Sequence, residues 1–217
     1  MLLNAQRMGN DSLKVRSWFK CPEGEAEETL EKYGKKRTLE KALERYADLA
    51  PEMTEFLRQG DLETLRHSTL YELPVGLNWE PKKGFTLVGD ATSLATPFSG
   101  EGVNKAMTDS MQLAELIKKS QDPEEDLTLD QAVLQFEELM FPRSEKLQVK
   151  TITNKQLMFE PGTPLTLMSH LVKTMASESP SMFVRMLGTA PFVAAVYGFF
   201  WVRKQVGWAV RRSWRRT

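Results

Sequence analysis

The sequence predicts an α+β fold in which a small partial sheet is packed with helices and the C-terminal region is helical. Three patterns support this prediction. A β-hairpin pattern opens the chain, amphipathic spacing predicts helices between residues 39 and 158, and a short apolar run precedes a glycine-rich loop and a helix. With 217 residues, 41% of them hydrophobic, the chain is long enough for one compact core and a tail.

The N-terminal hairpin is predicted from two short segments, residues 1–7 and Leu13–Trp18. Gly9, Asn10 and Asp11 lie between them. Glycine and asparagine tolerate the positive φ angles that tight hairpin turns need, so Gly9 and Asn10 are expected to form the turn.

The next part of the chain predicts a loop followed by two helices. Residues 21–37 are rich in Glu and Lys and contain glycines, which favours a solvated loop. Thr38 is expected to cap a helix that begins at the following residue. Pro51 is expected to open a second helix and Gly60 to end it.

Two longer helices are predicted in the second half. The first runs from Val103 to Lys119, and Thr128 is expected to cap the next. Pro142 should begin or kink a successor that ends near Met158. The first of these helices carries a stripe of apolar or small residues that predicts core packing: Val103, Ala106, Met107, Ser110, Leu113, Ala114 and Ile117.

One segment contains the residues that are expected to bind a ligand. Residues 85–88 predict a strand that ends at Gly89 and Asp90, and a loop then leads through Gly100 and Gly102 into the helix at Val103. A helix start exposes unpaired N–H groups and partial positive charge, which attract electron-rich oxygens. Glycines there let a ring or a pyrophosphate approach the main chain. Asp90 is placed to accept hydrogen bonds from sugar-like hydroxyls.

This segment resembles a known family. Gly89-Asp90-Ala91, the run from Pro97 to Ala106, and Asp109 are similar to the second flavin-contacting motif of FAD-dependent aromatic-hydroxylase-type monooxygenases, including the tetracycline-modifying branch. Residues 70–76 and Trp79 also fit that family. Many members carry a histidine where Ser93 stands, so no role is assigned to this side chain.

The resemblance implies residue roles. Asp90 would hold the flavin ribityl chain, and the helix start from Gly100 to Asn104 would face the isoalloxazine ring. Phe98 would shape a substrate pocket, while no catalytic residue is assigned. The cofactor-binding set that this resemblance implies is Gly89, Asp90, Pro97, Gly100, Gly102, Val103 and Asn104.

The Gly-x-Gly-x-x-Gly fingerprint that binds the ADP half of FAD does not occur in the sequence. The resemblance therefore covers the C-terminal portion of the family fold. It predicts a partial substrate-binding sheet with helices over 1–80, the flavin-motif strand, loop and helices over 81–160, and a basic helical tail over 161–217.

The amino-acid composition limits the kinds of partner and binding site that the chain is expected to have. Acidic and basic residues number 29 each, which argues against a nucleic-acid binder. The single cysteine, Cys21, excludes an intrachain disulfide, and neither it nor the distant His67 and His170 predicts a metal site. Without a signal-peptide pattern after Met1, a cytoplasmic location is expected, with a membrane surface as the alternative.

The tail combines an apolar segment with basic residues. Met186 to Val202 contains 17 residues without a charge, and seven basic residues and no acidic ones follow Glu178. A helix of that length spans about 25 Å, less than the roughly 30 Å of a bilayer core. Two interpretations stay open: peripheral membrane contact through residues 186–217, or a helix that covers surface exposed by the missing half.

Three functional hypotheses follow. The first is an FAD-dependent monooxygenase that uses NAD(P)H as reductant, oxidises an aromatic or polyketide-like small molecule in secondary metabolism, and is completed by another polypeptide. The second is a cofactor-independent cyclase or isomerase, or a ligand-binding protein, derived from a truncated flavin monooxygenase. The third is an incomplete gene product without independent activity.

Overall fold

The computed structural model describes residues 1–177, 181, 191 and 193–203. Two strands pair into one sheet, and helices make up most of the remainder, so the predicted α+β fold class is confirmed. Residue 191 and residues 193–203 are also helical. The named elements are β1 (Leu2–Arg7), β2 (Leu13–Trp18), α1 (Glu25–Arg45), α2 (Pro51–Arg58), a 3₁₀ turn (Leu62–Thr64), α3 (Asp90–Ser93), α4 (Gly102–Ser120), α5 (Leu129–Met158) and α6 (Leu165–Ser177).

The N-terminal hairpin is confirmed. Strands β1 and β2 pair antiparallel, with Leu2 opposite Trp18 and Arg7 opposite Leu13. The turn differs from the prediction in one respect, because Asn10 (φ 58°) and Asp11 (φ 53°) adopt the left-handed conformation and Gly9 does not. Short polar side chains tolerate that region of φ and ψ better than other non-glycine residues do.

Tyr46 fixes the hairpin to the helices. This residue follows the end of α1 and is almost completely buried. Its hydroxyl accepts a hydrogen bond from Ser17 Oγ at 3.0 Å and lies 2.8 Å from the Leu2 carbonyl oxygen, which it can donate to. One side chain therefore contacts both strands, and the burial raises the pKa of its phenol.

The predicted loop over residues 21–37 is wrong, since most of this segment lies in α1. Acidic residues in the first turn of α1 suit the positive end of the helix dipole. Gly34 (φ 73°, ψ 177°) interrupts the helix, so two helical stretches meet there. Thr38 does not cap a helix, because its hydroxyl donates instead to the Gly34 carbonyl oxygen at 3.0 Å.

The predicted strand at Phe85–Val88 is also wrong. Phe85 forms an isolated bridge with Lys82, and residues 86–88 have no strand assignment. A strand needs a neighbouring chain to accept and donate its ladder hydrogen bonds. Within the described ranges, no strand lies beside residues 86–88 to do so.

Helix α5 is longer than predicted. Thr128 caps it as expected: the Thr128 N–H donates to Gln131 Oε1 at 2.8 Å, and the Gln131 N–H donates to Thr128 Oγ1 at 3.3 Å. Pro142 lies inside this single 30-residue helix and does not start a new one. Phe136 and Leu147 are buried on either side of it, so packing supports the helix through the proline.

The chain divides into two compact units, Met1–Lys155 and Gln156–Thr217. The predicted three-part division at residues 80 and 160 stays a prediction. The second unit contains α6 and the helical residues 193–203, while residues 178–180, 182–190, 192 and 204–217 of the predicted tail lie outside the described residues. Across the described ranges, every helix is too short or too polar to cross a membrane.

Candidate functional site

The site begins at a turn whose backbone conformation favours glycine. Gly89 has φ 67° and ψ −135°, a combination that residues with a Cβ atom avoid, and it precedes α3 directly. A Cβ atom placed on Gly89 would lie 3.4 Å from Ala106 Cβ of α4. This turn leaves Asp90 exposed at the first position of α3.

The N-terminus of α4 carries no side-chain cap. Glu101 occupies the capping position, but its carboxylate forms an ion pair with Lys150 Nζ at 2.7 Å instead. The first helical hydrogen bond is donated by the Lys105 N–H to the Glu101 carbonyl oxygen at 2.9 Å. The N–H groups of residues 102–104 therefore precede the helical ladder and are available to an electron-rich ligand.

Two glycines leave open space at this helix start. Gly100 has φ 70°, whereas Gly102 has no positive φ angle. A Cβ atom added at either glycine would meet no described atom within 4 Å. No described side chain therefore blocks a close approach to the main chain at Gly102.

The predicted cofactor-binding residues lie on the accessible side of one continuous segment. All except Gly89, which is half-buried, are exposed: Asp90, Pro97, Gly100, Gly102, Val103 and Asn104. The residues behind them, Thr92, Ser93 and Thr96, are buried. This arrangement is compatible with the predicted roles, and cofactor binding by these residues stays a prediction.

Phe98 connects the loop to the hairpin. Its ring packs edge-on against the ring of Trp18, with 5.7 Å between the centroids. Its carbonyl oxygen accepts a hydrogen bond from Asn154 Nδ2 of α5 at 3.1 Å. The loop is therefore held by an aromatic contact on one side and a helix on the other, and the substrate-binding role of Phe98 stays a prediction.

A buried polar cluster lies beneath the loop. Lys105 and Asp109, one turn apart on α4, are only 6% and 0% exposed, and Lys105 Nζ lies 2.7 Å from Asp109 Oδ2. Arg143 of α5 donates to Asp109 Oδ1 from Nε at 3.0 Å and to Gln112 Oε1 at 2.7 Å. Sequence reasoning missed this cluster, although the four-residue spacing of Lys105 and Asp109 signals one helix face.

The apolar face of α4 is not buried, so the predicted core role of its stripe is wrong: none of the seven members is buried, and four of them are exposed, namely Val103, Met107, Ser110 and Ala114. Val103 is 73% exposed and Met107 is 60% exposed, and Met111, one turn further on, is 63% exposed. The buried face of the helix is instead the one that carries Lys105 and Asp109. Helix α4 thus buries charges and exposes large apolar side chains, the reverse of a typical surface helix.

Helix α5 holds the segment before the site through polar side chains. Glu137 Oε1 accepts hydrogen bonds from Trp79 Nε1 at 2.9 Å and from Thr86 Oγ1 at 2.8 Å. Gln148 Nε2 donates to the carbonyl oxygens of Leu73 and Pro74, both at 3.2 Å. The sequence signal for these contacts is weak, because a polar residue on a long helix is usually solvated.

Metal binding and catalysis by a reactive thiol have little support in the described residues. Within the described ranges, no group of three or more His, Cys, Asp or Glu side chains is arranged to hold a metal ion. Burial raises the pKa of the Cys21 thiol, which keeps it protonated at neutral pH.

Sequence comparison places this geometry in a family. The sequence model of the squalene epoxidase family matches residues 26–155, which include the whole α3–α4 segment. "Monooxygenase penA" of Penicillium thymicola is 39% identical over 82 residues, which cover 36% of this chain and 19% of that protein. "Monooxygenase asqM" of Emericella nidulans is 51% identical over 51 residues, which cover 23% of this chain and 12% of that protein.

These matches identify a monooxygenase-family protein, which confirms the predicted resemblance at that level. The chain belongs to the squalene epoxidase family, whose sequence model covers more than half of its residues. The aligned part spans less than a fifth of the length of the two monooxygenases. The tetracycline-modifying branch and the truncation of the fold stay predictions.

Proposed function

We propose that this chain forms the flavin-ring side of an FAD-dependent monooxygenase that oxidises an aromatic or polyketide-like small molecule in secondary metabolism. The observation that carries the proposal is the uncapped start of α4, which faces open space beside Gly102. This site lies inside the range that matches the squalene epoxidase family.

The residues present fit a flavin. Asp90 is exposed at the start of α3, where its carboxylate can accept hydrogen bonds from the ribityl hydroxyls. The N–H groups of Gly102, Val103 and Asn104 can donate to electron-rich atoms at the edge of the ring. A bound flavin reduced by NAD(P)H would supply the oxygen-activating chemistry.

The remaining residues of the loop would position the substrate. Pro97 is exposed, and Phe98 is held by Trp18 and Asn154, so the loop presents an apolar surface in a fixed position. Fixed apolar surface orients an aromatic substrate at low entropic cost. The narrower assignment to the tetracycline-modifying branch rests on the motif residues alone.

Another polypeptide segment would complete the site. The aligned part of the chain spans less than a fifth of its monooxygenase relatives, and the sequence contains no dinucleotide fingerprint. The exposed stripe of Val103, Met107 and Met111 supports this partner, because large apolar residues aligned on one helix face usually pack against something. Residues 86–88, which have no strand beside them among the described residues, offer backbone groups to an added strand.

Peripheral membrane contact is proposed for the tail. Tyr197, Phe199 and Trp201 are exposed on the helical segment 193–203, and the sequence that follows is basic. Exposed aromatic side chains next to arginines suit the interface of an anionic bilayer.

Flavin titration of the purified chain tests the proposal. FAD fluorescence should be quenched saturably, and Asp90→Asn should weaken binding about tenfold, since a hydrogen bond to a charged group contributes about 1.5–3 kcal/mol. Asp126→Asn is the matched control, because it removes the same charge at another exposed position. A folded protein that leaves FAD fluorescence unchanged would favour the cofactor-independent cyclase, isomerase or ligand-binding alternative.

A further inference from the structure

The cost of burying Lys105 calls for a physical reason. A lysine that is 6% exposed pays a large desolvation penalty, and an apolar residue of similar length would fill the same volume without it. Asp109, which is fully buried, supplies the opposite charge at 2.7 Å. The position therefore retains a charged group whose contacts extend beyond simple packing.

The second contact of Lys105 leads to the Asp90 turn. Lys105 Nζ donates to Thr92 Oγ1 at 2.9 Å, and Thr92 Oγ1 in turn donates to the Gly89 carbonyl oxygen at 2.7 Å. A hydroxyl has one proton to donate. Thr92 therefore accepts the bond from Lys105 and donates its single proton to the Gly89 carbonyl oxygen. Thr92 is almost completely buried, so water cannot easily replace either partner.

The far end of the cluster is fixed to α5. Arg143 Nε and Nη2 both lie 3.0 Å from Asp109 Oδ1, and Arg143 also bonds Gln112 at 2.7 Å. Asp109 is thereby held from two helices, and it holds Lys105 in turn. The contacts form a continuous path from α5 through α4 to Gly89.

We infer that Lys105 is a positioning residue: its ammonium group, held by Asp109, fixes through Thr92 the Gly89 turn that presents Asp90. The inference rests on the proposed function only in the role given to Asp90. The positioning itself is a property of the protein without flavin.

Amide hydrogen exchange at Thr92, followed by NMR on the full chain, tests the inference. The Thr92 N–H donates to the Gly89 carbonyl oxygen at 3.1 Å, so its exchange reports directly on the turn. Lys105→Met and Thr92→Val should each accelerate exchange in residues 89–94 about tenfold or more, with amides of α5 unchanged. The matched control is Lys118→Met, which removes an exposed lysine of the same helix.

Two further readouts separate positioning from general stability. The double variant should exchange no faster than the faster single variant, because both substitutions break the same path. Lys105→Arg, which keeps a charged donor, should restore part of the protection. If the Lys105→Met variant does not fold, the Thr92→Val variant tests the same inference.

Three outcomes decide the matter. Local acceleration confined to residues 89–94 supports the inference, even if the wild-type chain binds no FAD, in which case only the proposed function fails. Unchanged exchange in a folded Lys105→Met or Thr92→Val variant overturns the inference, even if FAD binds. Uniform acceleration through α4 and α5 also overturns it, because Lys105 would then stabilise the fold as a whole.

Discussion

The three glycines of the site should respond differently to substitution by alanine. Gly89 (φ 67°, ψ −135°) combines a backbone conformation that residues with a Cβ atom avoid with a Cβ position 3.4 Å from Ala106 Cβ. Gly89→Ala should therefore lower the free energy of unfolding by about 1–3 kcal/mol. Gly100 (φ 70°) has a positive φ, which is unfavourable for alanine, but no close contact, so Gly100→Ala should cost about 1–2 kcal/mol.

Gly102→Ala should behave in the opposite way. Gly102 is the first residue of α4, has no positive φ angle, and has open space where a Cβ atom would lie. Alanine restricts the unfolded chain more than glycine, so this variant should be more stable by about 0.4–1 kcal/mol. Its methyl group would occupy the space proposed for the flavin ring, so FAD affinity should nevertheless fall about tenfold.

Urea unfolding followed by circular dichroism gives the stabilities, and fluorescence titration gives the FAD affinities. Gly9→Ala serves as control, because Gly9 has no positive φ angle, has open space around its Cβ position, and lies in the hairpin turn. A Gly102→Ala variant that is less stable than wild type would refute the reasoning about space. One that is more stable and binds FAD normally would refute the placement of the ring beside Gly102.

Three other perturbations have defined outcomes. Glu137→Leu removes the acceptor of Trp79 and Thr86, so it should cost about 3 kcal/mol in urea unfolding, whereas Glu137→Gln keeps an acceptor oxygen and should cost about 1 kcal/mol. The raised pKa of Tyr46 means that its contribution to stability is present below about pH 10 and is lost as the pH rises through the folded-state pKa. Wild type should therefore lose stability above pH 10 more steeply than Tyr46→Phe, measured by urea unfolding across pH. Met107→Glu, on the exposed stripe, should change the free energy of unfolding by less than about 0.5 kcal/mol, because this side chain is 60% exposed.

Each of these outcomes can be contradicted. Equal losses in Glu137→Leu and Glu137→Gln would show that the hydrogen bonds of this carboxylate contribute little. Parallel pH profiles for wild type and Tyr46→Phe would place the alkaline transition elsewhere. A large loss of stability in Met107→Glu would mean that this face of α4 is buried.

Local signals were sufficient where an element depends on its own residues. Pro51 opens α2, Thr128 caps α5, and the polar turn at Asn10 and Asp11 closes the hairpin. In each case the determining contact lies within a few residues along the chain. The sequence therefore predicted these boundaries within one or two residues.

Elements that depend on distant partners were not predicted correctly. Residues 86–88 have strand-forming side chains, but no strand lies beside them within the described ranges. The segment before Thr38 is charged and contains glycines, yet it is helical because its acidic residues suit a helix start and Gly34 absorbs the break. Composition alone does not distinguish such a helix from a loop.

The candidate site shows the same division. The glycine-rich segment and Asp90 were found from spacing, because a helix start after a turn has a local signature. The orientation of α4 was not predicted correctly. The apolar stripe at Val103 and Met107 predicted burial of that face, but the opposite face is buried, where Asp109 bonds to Arg143 of α5. Which face a helix buries is decided by its neighbours, and only the structure identifies them.

Competition among parts of FAD tests the central claim most directly. If this chain holds the flavin-ring side of the cofactor, riboflavin should displace FAD from it at similar concentrations, whereas ADP should not displace FAD at concentrations many-fold higher. Equilibrium titration of the FAD-loaded chain with each compound gives the answer. Displacement by ADP but not by riboflavin would contradict the account, because the site would then recognise the dinucleotide half instead of the ring.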